Sequence, residues 1–417
     1  MVTRIEAEWL RDPLLQSLLS ALSAGGEEAR VVGGAVRNTL MGLAITDIDV
    51  ATTTLPTETV RRIEAAGFRA VPTGIEHGTV TAVREGRAFE VTTLRRDVET
   101  DGRHAKVAFG RDWKADAERR DFTINALTCD ATGEVHDLVG GVADLEAGVL
   151  RFIGQAEDRI TEDTLRILRF FRFFAWYGRG RPDGEGLRAA TRLKAGVTQL
   201  SPERVWAELR KLLAAPDPSR ALLWMRQTSV LSLVLPESEK WGIDAIHGLM
   251  QAEAAHGIAA DPILRLEAIV PPDADRMGEL ARRLRLSNAD RDRLVAWARE
   301  REPLGDESDA SFAARLYFGD RGAIADRLAL GLAQLQPKLA ADPDNLATAA
   351  LWGRRLKETR GFSAPAFPLS GHDLTERGIA AGPDLGRHLL RLKTAWAQSG
   401  FVMGREALLA MLDERPA

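Results

Sequence analysis

Two aspartates separated by one residue follow a pair of glycines, a combination that favours phosphoryl-transfer chemistry. Gly33 and Gly34 come directly after an apolar stretch, and Asp47 and Asp49 follow shortly afterwards. Glycines let backbone amides approach a polyphosphate closely. In an extended strand, residues i and i+2 point to the same face, so the two carboxylates should converge. Since magnesium prefers one or two carboxylates together with substrate phosphates, the pattern predicts a magnesium site at Asp47 and Asp49.

A second candidate segment contains two arginines and a further aspartate. Arg119 and Arg120 can bind phosphate groups bidentately, and Asp121 can add a third catalytic carboxylate to the aspartate pair. Glu90 is the alternative third carboxylate, because alternation along its predicted strand places it opposite the apolar face. The sequence leaves the choice between Asp121 and Glu90 open.

A third segment combines an aspartate with arginines spaced three residues apart. The charged residues are Asp163, Arg166, Arg169 and Arg172, and leucines and phenylalanines occupy most positions between them. On one helix, Asp163 and Arg166 would lie side by side, and the later arginines would continue the same basic stripe.

A neighbouring carboxylate and guanidinium can distinguish between nucleobases. The carboxylate only accepts hydrogen bonds and the guanidinium only donates them. Cytosine and adenine each present an amino donor beside a ring-nitrogen acceptor, which matches this pair. Uracil and guanine present the opposite order and would leave polar groups unpaired, at a cost of about 1–3 kcal/mol each. The third segment therefore predicts a nucleotide site that accepts C and A.

These segments need a scaffold, and the sequence predicts an α+β fold. Short apolar or alternating stretches predict strands at residues 29–32, 48–52, 69–71, 79–83 and 88–94, the last two joined across Glu85 and Gly86 as a hairpin. Helices are predicted at residues 35–40 and 56–66. From about Glu157 the pattern becomes helical almost to the end.

Composition bounds the class of protein. A length of 417 residues predicts several domains, and 45% hydrophobic with 28% charged residues is typical of globular chains. The single cysteine, Cys129, excludes a disulfide framework and favours a reducing compartment. We find no signal-peptide pattern and no apolar run long enough for a bilayer, so a cytoplasmic protein without membrane association is expected. The net charge of −4 does not by itself indicate a nucleic-acid binder, although local patches decide this.

Taken in order, four motifs resemble the class II tRNA nucleotidyltransferase/poly(A) polymerase family, and most of all its bacterial CCA-adding enzymes. They are Gly-Gly-Ala-Val-Arg, Asp-Ile-Asp, Arg-Arg-Asp-Phe-Thr-Ile-Asn-Ala and Glu-Asp-x-x-Arg-x-x-Arg. The likeness covers about residues 28–212 and is weaker near residues 368–374. It implies a polymerase-β-like nucleotidyltransferase head with a mixed sheet, followed by an all-helical neck, body and tail. The implied domains are the head at 1–153, a base-recognising neck at 154–215, a body at 216–335 and a tRNA-binding tail at 336–417.

The resemblance also implies an activity and its residues. CCA, or part of it, would be added without a template to the 3′ end of tRNA from CTP and ATP, with release of pyrophosphate. Asp47 and Asp49 would bind Mg²⁺, and Gly34 and Arg37 would contact the triphosphate. The remaining nucleotide-binding residues would be Gly33, Arg119, Arg120, Asp163, Arg166, Arg169 and Arg172, with Asp163 and Arg166 pairing with the incoming base.

Several alternatives stay open at this point. A poly(A) polymerase that uses ATP alone shares the same head, but the sequence at residues 73–79 lacks an arginine-rich element and the C-terminal end is not basic, which favours tRNA. An enzyme that adds only C, or only A, is a further alternative. The oligomeric state does not follow from the sequence. A non-catalytic RNA-binding relative is disfavoured by the intact Asp47, Asp49, Asp163 and Arg166.

Three further expectations concern single positions. Asn38 stands where the family usually has aspartate, and we interpret it as a change on the helix surface. Residues 95–107 are expected to form a mobile loop that helps to switch between CTP and ATP. Arg204 and a basic cluster in the helical part are candidate tRNA contacts; the cluster comprises Arg276, Arg282, Arg283 and Arg285.

Overall fold

The computed structural model describes residues 3–100, 105–239, 244–339 and 342–413. The chain divides into two compact units, Met1–Pro236 and Glu237–Ala417. This division does not coincide with the domain boundaries predicted after residues 153, 215 and 335, which remain predictions.

A seven-stranded mixed sheet forms the centre of the first unit. The strands of this unit are β1 (Ala29–Val32), β2 (Asp49–Thr52), β3 (Arg69–Gly74), β4 (Thr79–Arg84), β5 (Arg87–Thr93), β6 (Arg95–Thr100), β7 (Ala105–Phe109), β8 (Thr128–Cys129) and β9 (Val135–His136). The strand order in the sheet is β3-β4-β5-β2-β1-β8-β9. Strands β2 and β5 pair in parallel, whereas the other neighbours run antiparallel. The mixed sheet confirms the predicted α+β class.

Helices up to Ala147 alternate along the chain with the strands, and the rest of the first unit consists of helices. The helices of the first unit are α1 (Pro13–Leu22), α2 (Gly34–Leu40), α3 (Pro56–Ala65), α4 (Trp113–Glu118), α5 (Gly141–Ala147), α6 (Ala156–Glu162), α7 (Leu165–Tyr177), α8 (Gly184–Leu193), α9 (Pro202–Leu213), α10 (Ser219–Gln227) and α11 (Val230–Val234). Leu15, Leu18 and Leu22 of α1 and Ile63 of α3 are fully buried. The apolar face of each helix therefore contributes to the core, as amphipathic spacing predicts.

The predicted hairpin is present, with β4 one residue longer than expected and β5 displaced by one residue toward the turn. Strands β4 and β5 are antiparallel and in register from Thr79 opposite Thr92 to Arg84 opposite Arg87. The turn between them uses Glu85 at φ 53° and Gly86 at φ 75°. Two successive positive φ values match the right-handed twist of the flanking strands, which is why glycine is favoured in such turns.

The loop predicted at residues 95–107 is wrong where the structure describes it. Strands β6 and β7 pair antiparallel as a separate two-stranded sheet, with Arg95 opposite Phe109. Residues 101–104 lie outside the described residues. This segment is rich in charged residues, which are uncommon in strands, and its composition therefore concealed its strand character.

The single helix expected through Asp163 is also wrong. Helix α6 ends at Glu162 and helix α7 begins at Leu165. Asp163 adopts an extended backbone with φ −152° and ψ 105°, and its carboxylate accepts a hydrogen bond from the amide of Leu165 at 3.1 Å. A short polar side chain that bonds to a nearby amide competes with helical continuation, which explains the break.

A cluster of phenylalanines packs helix α7 against the segment that follows α4. Phe122 is fully buried, with its ring centroid 4.8 Å from that of Phe152 and 5.4 Å from that of Phe173. Phe170 stacks on Phe152 at 5.5 Å. Such aromatic pairs add about 0.5–1.5 kcal/mol each beyond their buried area, so this cluster fixes the position of α7.

The second unit is helical throughout its described part. Its helices are α12 (Asp244–His256), α13 (Pro262–Ile269), α14 (Ala274–Arg283), α15 (Asn288–Arg299), α16 (Asp309–Phe318), α17 (Arg321–Leu335), α18 (Pro343–Gly361), α19 (Gly371–Thr375), α20 (Pro383–Gln398) and α21 (Arg405–Asp413). A core around Trp396 includes Leu374, Leu392 and Leu408. Among the described residues, no helix combines the length and apolar character needed to cross a bilayer.

Glu267 on α13 is a buried acid in this second unit. It is 1% exposed, and neither carboxyl oxygen has a hydrogen-bond partner among the residues that the structure describes. Burial, together with the nearby carboxylates of Asp326 and Asp261, raises its pKa well above the usual value, although Arg293 and Arg327 act against this shift. The folded chain therefore disfavours ionisation of Glu267, since ionising it would place an unpaired charge in the interior.

We expect Glu267→Gln to remove a pH-dependent loss of stability. In the unfolded chain Glu267 ionises at its ordinary pKa, so the stabilising contribution of its folded state is complete below that value. The contribution is lost as the pH rises toward the folded pKa, by about 1.4 kcal/mol for each unit of pKa shift. Urea unfolding between pH 5 and pH 9 should show the variant gaining stability over the native protein as the pH rises.

Glu302→Gln provides the matched control, because Glu302 is exposed and lines the same cavity as Glu267. It should leave the pH dependence of unfolding unchanged. A constant stability difference between the native protein and Glu267→Gln across this pH range would show that Glu267 is not buried in its neutral form.

Candidate active site

A glycine turn, at Gly33, joins β1 to α2. Gly33 has φ 64° and ψ −112°, a conformation that residues with a Cβ rarely adopt. Its amide donates to the carbonyl of Leu127 at 3.0 Å. Gly33 and Gly34 line a cleft of about 500 Å³ together with Asp49 and Arg120. The structure thus brings the glycine pair and the second aspartate to one cleft, as the sequence predicts.

The two aspartates alternate with a buried residue. Asp47 and Asp49 are exposed, whereas Ile48 between them is buried. Asp47 precedes strand β2, which begins at Asp49, and the hydroxyl of Thr46 donates to the Asp47 carboxylate at 2.9 Å. Both carboxylates line a second cleft, so the predicted convergence on one side of the strand is present.

Glu90 adds negative charge beside this pair. In the parallel register of β2 and β5, Asp49 lies opposite Glu90. Partial burial of the Asp49 carboxyl, followed by repulsion from Glu90 and Asp47, raises the pKa of Asp49, and Arg120 opposes the shift. Crowded carboxylates of this kind are relieved by a bound cation.

The donor set fits a magnesium ion shared with a substrate. Asp47 and Asp49 offer only carboxylate oxygens, the hard ligands that Mg²⁺ prefers, and substrate phosphates can complete its coordination. Among the described residues, no three acidic, histidine or cysteine side chains lie close enough to form a complete metal cage. The aspartate pair therefore has ligand chemistry that fits a divalent cation, and a metal site there remains a prediction.

Asp121 lines the first cleft with Asp49, and its role as a third catalytic carboxylate remains a prediction, but its oxygens are engaged by other groups. It is 7% exposed and accepts hydrogen bonds from the Phe122 amide at 2.9 Å, the Asn125 side chain at 3.0 Å and Arg169 Nε at 2.7 Å. Burial alone would raise its pKa, but Arg169 and these hydrogen bonds lower it. With its oxygens engaged, Asp121 anchors Arg169.

Arg119 and Arg120 are held by a residue that the sequence analysis did not identify. Asp116, at 3% exposure, forms ion pairs with Arg119 at 2.7 Å and Arg120 at 3.0 Å. Arg120 also donates to the carbonyl of Asn125 at 3.3 Å. Both arginines line the same cleft as the glycines and Asp49.

Asp163 and Arg166 line this cleft too, but not as a side-by-side pair on one helix. Arg204 donates to Asp163 Oδ2 at 2.7 Å. Arg166 donates to Glu162 at 2.6 Å and to the carbonyl of Arg159 at 2.9 Å. Each member of the pair is thus fixed by its own partner, and both reach the cleft because the chain breaks between α6 and α7.

The arginine stripe on α7 divides between two clefts. Arg169 pairs with Asp121 and lines the first cleft, with Arg166. Arg172 forms an ion pair with Glu208 at 2.7 Å, stacks over the Phe173 ring at 4.2 Å and lines the second cleft. The prediction that one nucleotide site gathers all three arginines is therefore not supported for Arg172.

Arg37 lies between the two clefts and lines both. It is 7% exposed and donates to the side chains of Asn125 and Asn38 and to the hydroxyl of Tyr177, the last at 2.7 Å. These contacts hold the Arg37 side chain in place between the first and the second cleft. The expected contact with a triphosphate would require it to exchange some of these partners.

Asn38 is half-buried on α2 and makes several hydrogen bonds that its interpretation as a change on the helix surface did not include. Its carbonyl oxygen accepts from Arg37 at 3.0 Å and 3.1 Å, and its amide donates to the carbonyl of Ala44 at 3.0 Å. It therefore links α2 to the segment that carries Asp47. The sequence did contain a sign of this role, because Asn38 departs from the family pattern at the position directly after Arg37 of the glycine motif.

Sequence reasoning also missed the aromatic wall of the second cleft. Phe173, Trp176 and Tyr177 line it with Arg37. Their spacing at the end of α7 resembles a core stripe, which concealed this role. By contrast, Trp206 is 7% exposed, as expected for a core residue.

Family models match two parts of the chain. The model described as "Poly A polymerase head domain" matches residues 29–151. The model described as "Probable RNA and SrmB- binding site of polymerase A" matches residues 183–241. The first match contains the glycine turn, both aspartates and the Arg119–Arg120 pair.

Full-length relatives and solved structures extend the likeness over the whole chain. A mouse protein named CCA tRNA nucleotidyltransferase 1, mitochondrial, is 34% identical and covers 96% of this chain and 90% of its own length. A CCA-adding enzyme of Leuconostoc mesenteroides is 39% identical over 54% of this chain and 56% of its own length. The structure of the Bacillus stearothermophilus CCA-adding enzyme in complex with CTP has a TM-score of 0.71 at 25% identity, covering 97% of this chain and 98% of its own. The chain therefore belongs to the CCA tRNA nucleotidyltransferase family.

Proposed function

We propose that this chain completes the CCA end of tRNA without a template, using CTP and ATP and releasing pyrophosphate. The observation that carries the proposal is the first cleft, where Asp49 and Arg120 lie with Asp163 and Arg166. This arrangement combines a carboxylate for transfer, a guanidinium for phosphate and a pair of groups that can select a base. The family membership supports the same activity.

The glycine turn and the paired arginines would bind the triphosphate. Asp116 already fixes the guanidinium groups of Arg119 and Arg120 at the cleft wall. Because these side chains are ordered before the nucleotide arrives, less conformational entropy is lost on binding. Because Gly33 and Gly34 have no side chains, this part of the cleft would leave room for phosphate oxygens near the backbone.

In the proposed reaction, the 3′ hydroxyl oxygen of tRNA forms a bond to the α-phosphorus while the bond to pyrophosphate breaks. Magnesium held by Asp47 and Asp49 would neutralise charge on the transferring group and lower the pKa of the hydroxyl. The protein contributes position and charge: Asp49 lines both clefts and marks where the two substrates would meet.

Base selection would fall to Asp163 and Arg166. Asp163 can accept from the amino group of cytosine or adenine, and Arg166 can donate to the adjacent ring nitrogen. Arg204 and Glu162 fix these two side chains. Uracil and guanine would leave a carboxylate facing an acceptor, an arrangement that costs about 1–3 kcal/mol for each unpaired group.

We propose a reducing, cytoplasmic location for this activity. Cys129 is buried, and burial raises the pKa of its thiol to about 12. Such a thiol is unreactive toward disulfide exchange. The mouse relative is named a mitochondrial protein, so an organelle is the alternative compartment.

Stepwise incorporation tests the proposal. The protein is incubated with Mg²⁺ and a tRNA that lacks its CCA end, with labelled CTP, ATP, UTP and GTP supplied singly and in pairs. CTP alone should add two residues, and CTP with ATP should add three residues and then stop. Asp49→Asn should lower the rate by about 10²–10³-fold or more, because it removes a charged group at the transfer site.

Other outcomes would replace the proposal with one of its alternatives. A long A tail from ATP alone would indicate a poly(A) polymerase. Addition of C alone, or of A alone to a tRNA that ends in CC, would indicate an enzyme that performs part of the reaction. RNA binding without incorporation of any nucleotide would indicate a non-catalytic relative.

Glu90→Gln should extend activity to lower pH. Metal binding requires ionised Asp49, and its raised pKa means that activity is lost at a higher pH than for an ordinary aspartate. Removing the charge of Glu90 lowers this pKa, so the acidic limb of kcat/KM should move to lower pH. The shift should be partial, because burial is the larger cause. The measurement is kcat/KM for CTP from the acidic range up to pH 8 at subsaturating Mg²⁺, where protons compete with the metal for Asp49.

Glu64→Gln is the control, since Glu64 is exposed on α3 and is not part of either cleft. Its pH profile should match that of the native protein. An unchanged acidic limb in Glu90→Gln would show that Glu90 does not act on Asp49.

A further inference from the structure

The second cleft, on the other side of Arg37, differs in chemistry from the first. It has a volume of about 620 Å³ and contains both Asp47 and Asp49. Its walls carry the aromatic rings of Trp176 and Tyr177 and the apolar side chains of the 43–45 segment. The first cleft is lined mainly by arginines, namely Arg119, Arg120, Arg166, Arg169 and Arg204, whereas the second has Arg172 and shares Arg37 with the first.

The polar groups of this second cleft are largely engaged within the protein. Asn38 is hydrogen-bonded to Arg37 and to the carbonyl of Ala44. The hydroxyl of Thr46 donates to Asp47. The walls therefore offer apolar surface and ring faces rather than a pattern of donors and acceptors that would select one base.

Trp176 is held in place and yet remains accessible. Its indole Nε1–H donates to the carbonyl of Lys211 on α9 at 2.8 Å, and 38% of the residue is exposed. Lys211 is exposed as well, and it lines the same cleft. An anchored, exposed indole beside a lysine is a suitable surface for a base and its phosphate.

We propose that this cleft binds the 3′-terminal nucleotide of the acceptor RNA, with its base against Trp176 and its phosphate near Lys211. The inference rests on the proposed function, since it assigns the second substrate of the same reaction. That reaction needs a nucleotide and an attacking hydroxyl at one pair of carboxylates. Asp163 and Arg166 place base selection in the first cleft, which leaves the aromatic cleft for the acceptor end.

The changing identity of the acceptor end supports an aromatic wall. At the first addition the terminal base is the last base of the tRNA before CCA. At the second addition it is the first C, and at the third it is the second C. A hydrogen-bonding pattern for one base would reject the others, whereas stacking on an aromatic ring tolerates any base. Trp176 therefore suits a terminus that differs from one addition to the next.

The test compares Trp176→Ala with the native enzyme on three tRNAs, which end before CCA, after the first C and after the second C. KM for tRNA should rise about tenfold at each addition, because one stacking contact is lost. KM for CTP or ATP should stay within about twofold of the native value. Trp176→Phe should restore most of the affinity, and Lys211→Gln should raise KM for tRNA in the same selective way.

Trp9→Ala is the matched control. Trp9 is a partly buried tryptophan of the same unit whose Nε1–H also makes one hydrogen bond, to Thr39 at 3.0 Å, and it does not line the second cleft. It should leave both KM values unchanged. Thermal unfolding of each variant, and the activity retained by Trp176→Phe and Lys211→Gln, distinguish a binding defect from a folding defect.

The proposal is overturned if an active Trp176→Ala enzyme keeps its KM for tRNA, or if KM for CTP rises as much as KM for tRNA. It is also overturned if Lys211→Gln and Trp176→Ala affect only the nucleotide. These results differ from failure of the proposed function, in which the native protein itself would transfer no nucleotide to any of the three tRNAs.

Discussion

The ion pair between Asp121 and Arg169 determines how the nucleotide cleft is assembled. It joins the segment after α4 to helix α7, with Arg169 Nε donating at 2.7 Å to a carboxylate that is 7% exposed. Asn125 donates to the same carboxylate and accepts from Arg37 on α2. Removing one side of a buried pair costs about 3–5 kcal/mol, because the other charge stays buried and unpaired. This chain of contacts therefore sets the position of α7 relative to the glycine turn, and with it the width of both clefts.

Patterns that act over a few residues were sufficient to predict the scaffold. Alternation placed Asp47 and Asp49 on the exposed side of Ile48, and the Glu85–Gly86 turn marked the hairpin. In each case the physical cause is local: the two-residue period of a strand, or the positive φ of a turn.

Roles that depend on distant partners could not be predicted in this way. Asp121 was predicted to be a third catalytic carboxylate, and its pairing with Arg169 could not be anticipated because the two are 48 residues apart. The break at Asp163 did have a local signal, since an aspartate followed by threonine favours capping over helix continuation. Its pairing with Arg204, 41 residues further on, had none.

The geometry of α7 explains why the arginine stripe serves two clefts. Residues three apart on an α-helix differ by about 300°, so Arg172 lies about 120° around the axis from Arg166. The rings of Phe173 and Tyr177 and the guanidinium of Arg37 occupy the boundary between the two directions. One helix thus contributes Arg166 and Arg169 to one cleft, and Arg172 with the rings of Trp176 and Tyr177 to the other.

The arginines of the clefts other than Arg37 have anionic partners within the protein, whereas Arg37 is held by Asn38, Asn125 and Tyr177. Arg119 and Arg120 share Asp116, while the others pair with Glu162, Asp121, Glu208 and Asp163, in the order Arg166, Arg169, Arg172 and Arg204. Without substrate, the region is close to electrical balance, in keeping with the net charge of −4. Under the proposed function, an incoming polyanion would bind by placing its phosphates against guanidinium groups that the protein already holds in position. Discrimination against unrelated nucleic acids would then arise from matching positions at short range, and not from attraction at a distance.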